Sequence, residues 1–226
     1  LVGQTETVMQ TDYYFRGEEL MLTDDSGETW VASGLTTKQL EETKAVYGQG
    51  NMIPENSVYA DGNGMFAVFW GETPTLHVSK DDGETWTDFV FQEEYPRLCT
   101  SRIVRFLDPE NGYVGLGTDW SMGTGGATYI GWTHDGGATW ETTPVAVENG
   151  WILSGLAFAD QSAGMLTMDE QFGENSWPHV LVTENGVASL AEIELPWDTV
   201  SEEVMFLNKV DSLKYENGVY YLTLGQ

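Results

Sequence analysis

The stretch TDDSGETW, Thr23 to Trp30, has the composition of a tight turn running into a strand, with Asp25, Gly27, Thr29 and Trp30 at fixed offsets. It returns as SKDDGETW at Ser79–Trp86 and as THDGGATW at Thr133–Trp140. A weaker copy, TENGVASL at Thr183–Leu190, has Asn185 for the Asp, Val187 for the Gly and Leu190 for the Trp. The four copies start 56, 54 and 50 residues apart. A near-constant period of this length signals a repeat architecture.

A second signature lies between these turns. YADGNGMFAVFW from Tyr59, FLDPENGYVGLG from Phe106, FADQSAGMLTM from Phe158 and YENGVYYLTLG from Tyr215 each give an aromatic, a polar turn with glycine, and an alternating apolar run. Period-two alternation broken by Gly, Asn and Asp marks a hairpin. Each period thus holds two hairpins, or four short strands, which is the content of a propeller blade.

The repeated turn has structural work to do without any substrate. The carboxylates of Asp25, Asp81 and Asp135 can accept backbone N–H bonds across their own turns. Gly27, Gly83 and Gly137 can take the positive φ that other residues resist. Trp30, Trp86 and Trp140 can cover the turn with a large ring. These nine residues are read as structural.

The pattern Ser/Thr-x-Asp-x-Gly-x-Thr-Trp resembles the Asp-box of bacterial neuraminidase-repeat proteins, and the interleaved hairpins look like those of secreted and photosystem-assembly-type Asp-box propellers. Together the repeats cover nearly the whole chain. The resemblance implies an all-β fold: a small propeller of four-stranded antiparallel blades, four in number with five as the alternative. It also implies that the Asp-boxes lie at the periphery, away from any active site. Residues 1–226 are expected to form one domain, with the C-terminal hairpin 212–226 completing the blade begun by the N-terminal strands and removing two exposed edges. The segment Thr36–Gly50 departs from strand patterning and is expected to insert a short helix.

Composition narrows the function. Nine basic against 36 acidic residues give a formal net charge of −27, which repels phosphate backbones and anionic lipid. No nucleic-acid partner and no membrane span are expected. The single cysteine, Cys99, can form no internal disulfide. With no leader visible in this chain, the resemblance favours the exterior or cell surface of a bacterium.

Blade geometry assigns the sides. In a four-stranded meander the first and third turns share one face, and the second turns and interblade links share the other. That second face collects Trp70, Trp120 and Trp177 from second turns and Trp151 and Trp197 from links, beside Asp119, Asp169 and Glu170. Aromatic faces beside carboxylates suit sugar rings, and cations by cation–π attraction. These eight residues form the candidate ligand site, for a carbohydrate or a protein partner.

Catalytic readings are weaker. The resemblance to sialidases would require three arginines from different blades, but Arg97, Arg102 and Arg105 sit within nine positions and only Arg16 lies elsewhere. Lysine cannot supply the bidentate geometry such a triad needs. Other glycoside hydrolases need only two spaced carboxylates, so a carbohydrate-active enzyme stands as the alternative and an assembly role comes third. No catalytic residue is assigned. His77, His134 and His179 recur near successive third strands at unequal offsets and read as separate surface or packed residues. Arg102 and Arg105 read as interblade ion-pair partners. DPENG and DDSGE echo fragments of calcium loops without the full spacing, so calcium is a candidate ion with no assigned ligands and no other cofactor is expected. The resulting expectation is a non-catalytic, secreted or cell-surface binding module acting through a Trp-rich acidic face.

Overall fold

The computed structural model describes residues 12–41, 53, 56–91, 99–118, 127–148, 150–170, 177–199 and 209–225. Their strands form five antiparallel sheets, each a meander in chain order. Sheet I holds β1 (Asp12–Arg16), β2 (Glu19–Thr23) and β3 (Val31–Thr36). Sheet II holds β4 (Val58–Ala60), β5 (Phe66–Trp70), β6 (Thr75–Ser79) and β7 (Thr87–Val90). Sheet III holds β8 (Cys99–Phe106), β9 (Gly112–Thr118), β10 (Thr128–Thr133) and β11 (Glu141–Val145). Sheet IV holds β12 (Trp151–Phe158), β13 (Gly164–Glu170), β14 (His179–Thr183) and β15 (Ala191–Ile193), and sheet V holds β16 (Lys209–Glu216) and β17 (Val219–Gly225). The architecture is the expected all-β one of antiparallel blades, with four strands in sheets II, III and IV and an Asp-box turn inside each of sheets I to IV.

The Asp-boxes sit between the third and fourth strands of sheets II, III and IV, and between β2 and β3. In each, two successive residues adopt left-handed backbone: Ser26/Gly27, Asp82/Gly83, Gly136/Gly137 and Gly186/Val187. The Asp carboxylate closes the turn. Thr29 N–H and its hydroxyl donate to Asp25 at 2.9 and 2.6 Å, and the same pair of bonds recurs from Thr85 to Asp81 and from Thr139 to Asp135. The first of the two left-handed residues then donates its N–H to the hairpin turn of the same blade: Asp82 to Gly64 O, Gly136 to Glu110 O, Gly186 to Ser162 O, at 2.8–3.0 Å. First and third turns therefore share a face, held together by a repeated backbone bond.

Strands in the middle of a blade are buried on both sides, so their sequences are continuously apolar rather than alternating with polar residues. The alternation appears instead in which neighbour each side chain meets. Along β5, Phe66 and Val68 pack with Leu20, Leu22 and Leu35 of sheet I, while Ala67 and Phe69 pack with Val104, Val114 and Leu116 of sheet III. Between sheets III and IV, Ile103, Tyr113 and Ile130 meet Leu153, Leu166 and Met168. Among the described residues three interblade clusters result, between sheets I and II, II and III, and III and IV.

The helix expected in Thr36–Gly50 forms over Thr37–Glu41, α1. Thr36 and Gln39 exchange the bonds of a capping box, with Thr36 N donating to Gln39 Oε1 at 3.0 Å and Gln39 N to Thr36 Oγ1 at 3.4 Å. Leu40, fully buried, anchors the helix in the core between sheets I and II.

One expectation is corrected. Arg102 donates to Cys99 O and to Gly71 O of sheet II, at 2.7 and 2.8 Å. Arg105 donates to Asn56 O, Asn56 Oδ1 and Val104 O. Both guanidiniums bridge blades, but through neutral carbonyl acceptors: neither has a carboxylate partner among the described residues. A fork of five N–H groups can satisfy several backbone carbonyls at once, which a surface ion pair would not require.

The Asp-box after β2 makes β2 and β3 the third and fourth strands of a blade and β1 its second, whereas β16 and β17 correspond to a first and a second strand. Among the described residues, the strands of sheets I and V pair only within their own sheets. Residues 1–11, on which a shared blade would also draw, lie outside the described residues.

Candidate functional site

Parity along the strands decides where each candidate side chain goes. In β5, Trp70 follows Phe66 and Val68 on the face toward sheet I. It is half-buried against that core, and its buried Nε1–H has no partner among the described residues. Trp70 therefore packs as an interblade plug in the core between sheets I and II.

In sheet IV the same parity collects a group. Trp151 of β12 pairs with Glu170 of β13, and Met168 of β13 pairs with His179 of β14. Trp177 stands two residues before His179, just ahead of β14. The Trp151 ring lies over His179 with centroids 3.9 Å apart and planes at 22°. His179 Nδ1 sits 2.7 Å from Glu192 Oε1 and Nε2 sits 3.1 Å from Glu170 Oε1. Burial works against a charge on this imidazole, but the hydrogen bonds and charges of Glu192 and Glu170 outweigh it and hold its pKa above the ordinary histidine value.

Trp177 and Trp197 stack on one another, centroids 4.9 Å apart and planes at 8°. Trp197 opens a single turn of 3-10 helix, Trp197–Thr199, beyond β15. Each ring thus gives one face to its partner, and both are only half-buried. Tryptophans from a second turn and from an interblade link meet here, as the side assignment requires.

Asp169 points the other way from Glu170, toward sheet V. Burial pushes its carboxyl up, with Ser154, Lys209 of β16 and His179 pulling it back only in part. Its Oδ1 is buried and has no hydrogen-bond partner among the described residues. Trp120 and Asp119 lie outside the described residues. Of the eight candidate residues, Trp151 and Glu170 meet around His179, and Trp177 and Trp197 meet each other. Asp169 backs them from across the strand, and Trp70 stands apart.

The sequence reading of His179 as a separate surface or packed residue leaves out its place in this group, and Glu192 is not singled out at all. The signal for His179 was its position at the start of β14, two residues after Trp177. Glu192 offered no signal, because its place depends on the β14–β15 register, Leu181 opposite Glu192. The other histidines serve seams between blades: His77 stacks on Trp86 (4.4 Å, 3°) and bonds Asp88 and Ser33 O, and His134 joins Asn111 to Gln161. Among the described residues no cluster of His, Cys, Asp and Glu has the makings of a metal site, and no helix is long and apolar enough to cross a membrane.

No family model matches this sequence, and no curated protein does. Solved structures do. The chain superposes on the GH74 xyloglucanase from Xanthomonas campestris with TM-score 0.58 at 16% identity, covering 93% of this chain and 33% of that one. It superposes on YCF48 from Cyanidioschyzon merolae with TM-score 0.50 at 11% identity, covering 92% and 61%. YCF48 bound to a D1 peptide is also matched, with TM-score 0.47 at 19% identity over 91% and 54%. The chain thus spans from one third to about three fifths of the length of these structures. The likeness is one of fold, and the fold is the Asp-box β-propeller.

Proposed function

We propose, taking the Asp-box propeller as premise, that the chain is a non-catalytic binding module, secreted or displayed on a bacterial surface, whose second-turn face at sheet IV takes a saccharide. The observation that carries this reading is the half-buried Trp177–Trp197 stack, at the same sheet as the Glu170–His179 contact. A rigid indole pair offers a flat apolar platform of low conformational entropy for the C–H face of a sugar, and neighbouring carboxylates accept its hydroxyl protons. The same acidic surface turns away anionic glycans. The repeated turn chemistry of the Asp-boxes lies on the other face and takes no part in binding.

The test is calorimetric titration with neutral oligosaccharides, xyloglucan heptasaccharide first, with and without calcium. The wild-type chain should bind, and a Trp177→Ala/Trp197→Ala variant should lose at least about tenfold in affinity at unchanged fold. Unchanged affinity in that variant would overturn the reading. A hydrolase is the second reading, favoured by Asp169 on the sheet V side of β13, whose buried Oδ1 has no hydrogen-bond partner among the described residues and whose carboxyl is pushed up by burial, as a general acid requires. Release of reducing sugar that Asp169→Asn abolishes would establish it.

A further inference from the structure

We infer that His179 is a proton-operated latch on this site: charged, it keeps Glu170 engaged within the protein; neutral, it yields Glu170 to the hydroxyls of a bound saccharide. The inference rests on the binding reading above for its ligand, and on geometry for its mechanism. Both ring nitrogens of His179 face carboxylate oxygens, at 2.7 and 3.1 Å. A neutral imidazole carries one N–H and can serve only one of them, so the arrangement belongs to the imidazolium. His134 makes the contrast. Its Nδ1 donates to Asn111 Oδ1 at 2.8 Å while its Nε2 accepts from Gln161 Nε2 at 2.5 Å, a pattern that a neutral ring satisfies.

The groups around His179 define the latch. Glu170 reaches it from β13, Glu192 from β15, and the Trp151 ring covers it from β12. Asp169 acts from the far side of β13, where Lys209 opposes it. All the near charges are negative, and an indole face also favours a cation. The charged form is therefore retained above the pH at which a free histidine would lose its proton.

When the proton leaves, the longer and weaker bond breaks. Nδ1–H stays on Glu192 at 2.7 Å, Nε2 becomes a bare acceptor, and two lone pairs then confront each other at Glu170. Glu170 ends β13, level with Trp151 and beside the second turn, so it turns toward the Trp177–Trp197 platform. Because the folded pKa is raised, the stabilisation from the latch is complete below the ordinary histidine pKa of about 6.5 and disappears as pH rises through the folded value.

Carboxyl-carbon and imidazole NMR titrations of the full chain, without ligand, test the latch directly. The Glu170 Cδ resonance should step at the His179 transition, at a pH above about 6.5, and the step should vanish in His179→Gln. A Glu170 signal indifferent to His179 overturns the inference. If His179→Gln does not fold, Glu192→Gln must move the His179 and Glu170 transitions together to lower pH; independent movement overturns it equally. Xyloglucan heptasaccharide affinity should rise severalfold across the same transition, and flat affinity with an intact Glu170 step overturns the control of binding. Absence of binding at every pH, with the step intact, defeats the binding reading while the latch stands.

Discussion

Asn185 Nδ2 donates to the Ser189 hydroxyl at 2.8 Å, which reverses the polarity of the bond found in the other Asp-boxes, where the Thr29, Thr85 and Thr139 hydroxyls donate to carboxylates at 2.6 Å. The reversal keeps the turn. Asn185 Oδ1 still receives the N–H of Ser189 at 2.9 Å, and Val187 N–H still donates to Thr183 Oγ1 at 3.1 Å. The carbonyl half of an amide can replace one carboxylate oxygen, and the NH₂ half replaces the other once its partner accepts instead of donating. The fourth box is thus a complete turn without a charge.

That difference predicts the acid response. Bonds from Thr29 and Thr139 hold Asp25 and Asp135 down to about 2, and Thr85 lowers Asp81 likewise. With folded pKa values depressed, these carboxylates stabilise the protein above the ordinary value near 3.9, and the contribution is lost as pH falls toward about 2. Asp135→Asn should therefore lessen the number of protons taken up on acid unfolding. Asn185→Asp should increase it. Circular dichroism melts between about pH 2 and 5 measure both slopes, and identical slopes in the two variants would contradict the account.

Glycine at the Asp-box turn should matter unequally. Gly83 has φ +78°, and a Cβ there would overlap Val31 Cγ1 on β3 of the neighbouring sheet. Gly137 has φ +90°, but its Cβ would meet Val78 Cγ2 at 3.3 Å, which a small shift relieves. Both alanine variants incur the left-handed strain of about 1–3 kcal/mol, and Gly83→Ala adds a forced movement between blades. Chemical denaturation should rank Gly83→Ala clearly below Gly137→Ala. The reverse order would show that the blade contact is soft.

Two tryptophans of similar exposure should behave oppositely. Trp70 packs into the core between sheets I and II, so Trp70→Ala should cost about 2–4 kcal/mol and lower the melting temperature. Trp177 stacks only on Trp197 among the described residues, and Trp177→Ala should melt almost as the wild type does. Differential scanning calorimetry separates them.

Arg102 is 2% exposed and serves two carbonyls, Cys99 O and Gly71 O. Arg102→Lys keeps the charge but loses the fork, so at least one buried carbonyl is orphaned at about 1–3 kcal/mol. Arg102→Met removes the buried charge as well and should be no worse than Arg102→Lys. A lysine variant as stable as the wild type would count against the fork.

The repeats made the blades legible from the sequence, because Asp, Gly and Thr at fixed offsets have a local geometric meaning that survives in every copy. The pairing of first and third turns followed from the same meander. The site was legible only in outline. Counting turns groups Trp177, Trp151 and Glu170 in sequence, yet the partner that organises two of them, His179, is set by strand register. Trp70 was assigned to the wrong company because a double-sided buried strand gives every residue an apolar neighbour, and the sequence alone does not show that Phe66, Val68 and Trp70 share one seam. Arg102 and Arg105 misled in a related way: with 36 carboxylates in the chain an ion pair was the natural expectation, but the seam supplies backbone carbonyls instead.

Those two arginines have a further consequence. They are positive charges withdrawn from a surface already short of them, so the exterior is even more one-signed than −27 suggests. Their bonds to carbonyls do not depend on a partner ion that dissolved salt could screen, whereas the mutual repulsion of the outer carboxylates does. The blades should therefore be clasped from inside by contacts indifferent to ionic strength and strained from outside by a field that salt relaxes, so that added salt tightens the molecule.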